Sequence, residues 1–101
     1  MRRGEVWRYE PVMNRQGQST VRLIVSANGI NDAESLPIVF GVHVLDSDPG
    51  QLLAVHVAPW GWASALTLER VMRRRLVEQL ATVPDDVLEQ VDASLLAALE
   101  L

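Results

Sequence analysis

The sequence contains no cysteine, and this absence excludes several kinds of site at once. Disulfide bonds, thiolate nucleophiles and cysteine zinc sites all need that side chain. Lysine is also absent: all nine basic residues are arginines, and the formal net charge is −4. This acidic balance argues against a protein that coats nucleic acid through its total charge, although a local arginine cluster can still bind a few phosphates.

Long apolar runs are missing as well. No apolar stretch approaches the length of a membrane span, and the charged N-terminal segment MRRGEVW lacks the apolar region of a secretory signal. There is no internal repeat, and no linker divides the chain. A length of 101 residues fits one domain around one hydrophobic core. We therefore expect a single domain, residues 1–101, in a soluble cytoplasmic protein.

Most of the chain has the pattern of short β-strands. Residues with high strand propensity recur between segments rich in proline, glycine, asparagine and aspartate. The predicted strands are residues 5–12, 21–26, 37–46 and 51–60, followed by a short strand around 64–70 and an arginine-rich turn. We interpret Asn28-Gly29 as a turn after the second strand.

The C-terminal segment has a helical period instead. Its apolar residues recur at spacings of three and four, which predicts one buried helix face. They are Val87, Leu88, Val91, Leu95, Ala98 and Leu99. Pro84 suits the first helical position, and Asp85 and Asp86 favour the positive end of the helix dipole. The predicted fold is mainly β: a small antiparallel, partly barrel-like sheet with a C-terminal helix.

Strand alternation places three basic side chains opposite apolar faces. Arg22, His43 and His56 each lie on the strand face away from a continuous apolar set. Polar residues on the wet face of an antiparallel sheet are ordinary, and this is the alternative interpretation. Arginine with histidine is nevertheless a pair suited to metal-free phosphodiester cleavage, because one group moves a proton and the other stabilises charge on phosphorus. Two histidines without a clear acidic partner are a weak metal-ligand set, so we predict no metal site.

Three segments together resemble the MazF/PemK toxins of bacterial toxin–antitoxin pairs. They are RRGEVWRYEP at the start, LIVSANGIN in the second strand and RRRLVEQLATVPDDVLEQVDASLLAALEL at the end, in the family's order. The resemblance spans nearly the whole chain. It implies a MazF/CcdB-like fold and a homodimeric, metal-independent endoribonuclease without cofactor. Such a protein cuts single-stranded RNA and is silenced by an antitoxin.

The resemblance also implies roles for particular residues. Family members usually carry Arg-Pro at the head of the second strand, where this chain has Thr20-Val21 and an arginine two positions later. The predicted catalytic residues are Arg22, His43 and Ser47; the predicted RNA-binding residues are Arg15, Gln16, Gln18, Ser19 and Thr20; the predicted antitoxin-binding residues are Trp60, Trp62, Arg73 and Arg74. From the sequence we expect Arg22→Ala to lower cleavage while leaving the thermal midpoint nearly unchanged.

Other interpretations of these residues remain open. The two tryptophans also fit a core or dimer-interface pair, and the arginine run RVMRRRL also fits a solvated face. The chain could be a non-catalytic binding protein, either similar to the gyrase poison CcdB or a degenerate toxin that only binds a partner. Against the first, the Trp-Gly-Trp here is internal, and the chain ends Leu-Glu-Leu. Against catalysis, Asp46 and Asp48 flank Ser47 and would repel a phosphate.

Overall fold

The computed structural model describes residues 1–13, 19–50 and 53–101. Within these ranges the chain forms a strand-rich domain that ends in one long helix. The strands are β1 (Glu5–Tyr9), β2 (Val21–Ile24), β3 (Ile38–Leu45), β4 (Ala54–Val57), β5 (Gly61–Ser64), β6 (Glu69–Met72) and β7 (Leu76–Thr82), and the helices are α1 (Asn28–Asn31) and α2 (Asp85–Leu99). Among the described residues, no helix is long and apolar enough to cross a membrane.

The strands form one antiparallel sheet in the order β4-β5-β3-β2-β1-β7, and β6 also pairs with β3. The long strand β3 is the centre of this arrangement. One edge pairs with β2, while the other edge pairs first with β6 and then with β5. The pairing path is open and ends at β4 and β7, so the sheet does not close into a barrel within the described residues.

Along one edge, β3 pairs first with β6 and then with β5. Two local features make this change of partner possible. Gly61 begins β5 at φ +136°, and an added Cβ would lie 2.0 Å from the carbonyl oxygen of Leu45. Only glycine permits this close approach. Next to it, the His43 backbone N–H lies between the two ladders and donates to the Thr67 hydroxyl at 2.8 Å. The change of partner therefore leaves no orphaned donor at this point.

The sheet buries apolar side chains on both of its faces. One face packs under α2 and contains Val6, Leu23, Val42 and Val44 with Val91 of the helix. The other face holds a smaller cluster: Ile24, Val39, Val71 and Leu76, with Met1, Trp7 and Tyr9 partly buried beside it. The alternation predicted for the second and third strands is confirmed. The second face is covered and not exposed to solvent, however. Arg22 is therefore not a solvent-exposed polar residue on an open sheet face.

The C-terminal helix is confirmed, with Pro84 directly before its first residue and two aspartates in its first turn. Val91 is buried, and Val87, Leu88 and Leu95 pack partly against the core. The predicted apolar face is wrong at its end, where Leu99 is 51 % exposed. The helix outruns the sheet that it covers, so its last turn has no core beneath it.

The N-terminus is fastened to this helix. Arg3 bonds Asp92 of α2 through two nitrogens, one at 2.9 Å, and donates from Nε to the Val25 carbonyl at 3.0 Å. The hydrogen bond that Arg3 donates to Asp92 raises the pKa of Arg3. Three elements that are distant in the sequence are thus joined by one guanidinium.

Two details of the sequence prediction are corrected. Asn28-Gly29 is not a simple turn but begins the single-turn helix α1. The predicted strand around residues 64–70 is two strands, β5 and β6, separated by a 3₁₀ turn at Ala65–Thr67. The arginine-rich turn is confirmed as a second 3₁₀ turn, and it leads directly into β7, which the prediction lacked.

Candidate functional site

A row of three side chains crosses the second face of the sheet. Trp7 of β1 is directly opposite Arg22 of β2, and Arg22 is directly opposite His43 of β3. Directly opposed residues on one face lie close enough for their side chains to interact. Glu69 of β6 stands opposite Gly41, two positions before His43. Since glycine has no side chain, the neighbour available to Glu69 on this face is the diagonal one.

Arg22 is the most enclosed member of this group, with only 1 % of its surface exposed. Its Nε donates to Glu69 Oε1 at 2.8 Å, and Nη1 donates to the carbonyls of Ser19 and Val21 at 2.9 and 3.1 Å. The guanidinium carbon lies 4.4 Å from the centroid of the Tyr9 ring, a cation–π contact. A buried charge requires such partners, and here they fix the guanidinium plane.

Nη2 is the remaining nitrogen of this guanidinium. It makes no hydrogen bond within the described part of the chain. It is therefore the donor left for an incoming anion.

His43 shares the same carboxylate oxygen. Its Nε2 lies 3.0 Å from Glu69 Oε1, so this one oxygen contacts both Arg22 and His43. Burial lowers the pKa of His43 below 6.5 and the Arg22 charge lowers it further, whereas Glu69 acts in the raising direction. His43 is therefore neutral at pH 7, and its ring can accept a proton.

An open cavity of about 310 Å³ lies over these groups. Its lining comprises Tyr9, Pro11, Val12, Met13, Arg22, His43 and Glu69. A second cavity of about 490 Å³ shares Tyr9, Pro11 and Val12 with it and also contacts Arg8 and Thr20. The two cavities therefore share part of their lining at the end of β1 and in the segment after it. Within the described residues, no group of three or more His, Asp or Glu side chains could hold a metal ion.

The structure brings Arg22 and His43 together but not the third predicted catalytic residue. Ser47 is exposed in the turn after β3 and does not line the cavity. The hydroxyl nearest His43 in the hydrogen-bond network is that of Thr67, which accepts from the His43 N–H and donates to the Ser64 carbonyl at 2.7 Å. His56 lies apart on β4, where its ring stacks on Trp62 at 4.5 Å between centroids.

The predicted RNA-binding segment is described only in part. Arg15, Gln16 and Gln18 lie outside the described residues. Ser19 is half-buried, and its hydroxyl donates to the Val44 carbonyl at 2.6 Å, which fastens the entry of β2 to β3. Thr20 is exposed and lines the larger cavity.

The predicted antitoxin-binding residues differ in how far their side chains are already engaged. Trp60 is half-buried and packs against the main core. Arg73 donates from all three guanidinium nitrogens to backbone carbonyls of α1 and of the segment after it, and so ties them to the second 3₁₀ turn. The acceptors are Ile30, Asn31, Ala33 and Leu36. Arg74 is exposed. Trp62 is half-buried like Trp60, so Arg74 is the most exposed of the four.

Sequence reasoning missed three members of the site: Tyr9, Thr67 and Glu69. A signal for the carboxylate was present, since Glu69 and Val71 alternate correctly for one strand face. The single strand assumed for residues 64–70 obscured it, because the 3₁₀ turn resets the alternation between β5 and β6. No sequence pattern indicated a role for Thr67, because that role depends on where β3 changes its pairing from β6 to β5.

Scans of protein-family models and of curated protein sequences give no match. Solved structures do match, at full length. An endoribonuclease from a Mycobacterial species, in complex with its cognate antitoxin, superimposes with a TM-score of 0.83 at 23 % identity and covers 100 % of this chain and 96 % of its own. MazF from Deinococcus radiodurans gives 0.76 at 23 % identity over 99 % and 96 % of the two chains. A MazE–MazF complex from the same organism gives 0.75 at 25 % identity over 100 % and 96 %.

These similarities establish that the chain has the MazF fold. The expected architecture, a small antiparallel sheet with a C-terminal helix, is confirmed. At this level of identity the similarity concerns the fold, and the chemistry has to be argued from the residues of the site itself.

Proposed function

We propose that this protein is a toxin endoribonuclease that cleaves single-stranded RNA without a metal ion. The observation that carries the proposal is the pairing of Arg22 with His43 across β2 and β3 at the floor of an open cavity, on a MazF fold. A permanent cation and a neutral imidazole are the two groups that metal-free phosphodiester cleavage requires.

His43 takes the role of base in this reaction. Its lowered pKa leaves the ring neutral near pH 7, so it accepts the proton of a ribose 2′-hydroxyl. The 2′-oxygen then forms a bond to phosphorus, the bond from phosphorus to the 5′-oxygen breaks, and the leaving oxygen takes a proton from water. DNA lacks the 2′-hydroxyl, so this chemistry acts on RNA alone.

Arg22 stabilises the charge that builds on the phosphoryl oxygens. Arginine stays protonated, and Nη2, which makes no hydrogen bond within the described residues, can donate to a phosphate oxygen. Because Glu69 already balances the guanidinium charge, attraction of the RNA must come largely from elsewhere. The predicted contacts of Arg15, Gln16, Gln18, Ser19 and Thr20 supply such a path, and Thr20 lines the adjoining cavity.

The proposal includes a partner and an assembly. Two of the structures similar to this chain are complexes with an antitoxin, which supports an antitoxin as the cellular partner. Trp60, Trp62, Arg73 and Arg74 are the proposed contacts. A cytoplasmic homodimer is proposed as well, since the exposed end of α2 leaves apolar surface to cover, with Leu96 50 % and Leu101 83 % exposed. Light scattering that gives only the 11.2 kDa monomer mass at micromolar concentration would contradict the dimer.

The test of activity uses purified protein and a long single-stranded RNA, with and without EDTA. We expect fragments in both conditions, and a matched DNA strand that remains intact. Arg22→Lys keeps the positive charge but loses the planar fork, so we expect at least tenfold slower cleavage, in line with the ~10²–10³ typical for loss of one charge-stabilising donor. Arg2→Lys is the matched control, because Arg2 is exposed, pairs with Asp32 and lines neither cavity.

Two outcomes would contradict the proposal. RNA that stays intact at high protein concentration would favour a binding protein of this fold. Cleavage by Arg22→Lys at the rate of the parent protein would place the reacting phosphate elsewhere.

A further inference from the structure

One carboxylate of the site has no role in the proton transfer and phosphate contact described above. Glu69 is 38 % exposed in its side chain, yet its Oε1 accepts from Arg22 at 2.8 Å and lies 3.0 Å from His43 Nε2. It comes from β6, whereas its two partners come from β2 and β3. A carboxylate beside a phosphate site repels the substrate, so its presence there calls for a compensating function.

The geometry points to Glu69 as the positioning residue of the ribonuclease site, which holds Arg22 in place and fixes the His43 ring with its proton on Nε2 and its lone pair on Nδ1. This inference rests on the proposed function. An ionised carboxylate only accepts hydrogen bonds, so the nitrogen facing it must carry the proton. The base of the reaction is then Nδ1, and the ring cannot rotate without losing its bond to Glu69.

In the part of the chain that the structure describes, the surroundings of His43 leave no other side chain to do this. Arg22 of β2 is a cation and cannot accept a proton from the ring. The Tyr9 ring of β1 faces the Arg22 guanidinium. The Thr67 hydroxyl is occupied by the His43 backbone N–H and the Ser64 carbonyl. Among the described residues, only Glu69 is hydrogen-bonded to the imidazole.

The position of Glu69 follows from two sequence features that act together. Gly41 stands directly opposite Glu69 on β3, so the carboxylate reaches diagonally to His43 instead of packing against a side chain. The 3₁₀ turn Ala65–Thr67 before β6 sets the alternation that turns Glu69 toward the second face. The chain therefore builds the contact through two backbone features, one in β3 and one before β6.

The test variant is Glu69→Gln, which keeps the size of the side chain but removes its charge. Glu78→Gln is the matched control, because Glu78 is an exposed partner of an arginine on a strand and lies outside the cavity. The protein has only two histidines, so their NMR titrations can be assigned with His56→Gln. Since Glu69 acts to raise the pKa of His43, we expect that pKa to fall further in Glu69→Gln.

Kinetics provide the second measurement. We expect kcat for RNA cleavage to fall at least about tenfold, within the range of general-base contributions. KM should stay the same or fall, because a repelling charge near the phosphate is removed. A purely structural glutamate would lower the thermal midpoint without this division between kcat and KM.

The two proposals fail in distinguishable ways. Circular dichroism shows whether Glu69→Gln is folded. If it is folded and the His43 titration is unchanged, the positioning role is overturned. A kcat equal to that of Glu78→Gln overturns it as well. A shifted titration in a protein whose parent form never cuts RNA supports the Glu69–His43 coupling and rejects the ribonuclease function instead.

Discussion

Replacement of Arg22 by alanine should destabilise the fold, and this revises the expectation from the sequence that the thermal midpoint would hardly change. Arg22 is 1 % exposed and donates three hydrogen bonds to protein acceptors. Breaking a fully buried ion pair costs about 3–5 kcal/mol. Glu69 is 38 % exposed and can regain water, which reduces that cost. The loss of hydrogen bonds to the Ser19 and Val21 carbonyls adds to it.

We therefore expect a loss of about 2–4 kcal/mol in the free energy of unfolding, measured by urea denaturation. In a domain of this size, each 1 kcal/mol lowers the midpoint by about 4–8 °C. Arg8→Ala is the control: its pair with Glu78 is 56 % exposed on both sides and should contribute at most about 1 kcal/mol.

A double-mutant cycle tests the cause of this loss. Arg22→Ala combined with Glu69→Gln should be less damaging than the sum of the single changes, because the carboxylate is no longer left without its partner. A loss below about 1 kcal/mol for Arg22→Ala would refute the argument from burial. Additive effects in the cycle would show that the pair is not coupled. Cleavage assays of this variant must be run at a temperature at which it is folded.

Three further predictions concern the core, the backbone and pH. Val91→Ala should lower the unfolding free energy by about 2 kcal/mol, because Val91 is 2 % exposed under the sheet, whereas Leu96→Ala should cost less than about 0.5 kcal/mol in the same urea titration. Gly61→Ala should prevent folding or lower the midpoint sharply, since its Cβ would lie 2.0 Å from a carbonyl oxygen; Gly29→Ala, with nothing within 4 Å, should leave the circular dichroism melt nearly unchanged. Acidification should destabilise the protein from about pH 6.5 downward, because His43 takes up a proton more readily in the unfolded state than in the folded state. Urea titrations across pH 5–8 should show a smaller loss of unfolding free energy on acidification in His43→Gln. Equal pH dependence in that variant would contradict the assignment.

Much of the site could be predicted from local pattern. Alternation in strands is a property of the backbone, so Arg22 and His43 could each be placed opposite the apolar face of its own strand from the sequence alone. The helix followed from the spacing of its apolar residues, and the structure confirms it at Val91. The phosphate-binding role of Arg22 and the base role of His43 remain predictions, as does the role of Ser47.

The rest depended on contacts between distant segments. Alternation gives the face of a side chain but not what covers that face, so the sequence could not reveal that Arg22 is buried beneath Tyr9. Strand partners are chosen by packing across the whole sheet, and β3 binds β6 and β5 in turn along one edge. That choice alone brings Glu69 to Arg22 and His43 from 47 and 26 residues away. Local physics fixed the orientation of the basic side chains, whereas the tertiary pairing supplied the carboxylate that joins them.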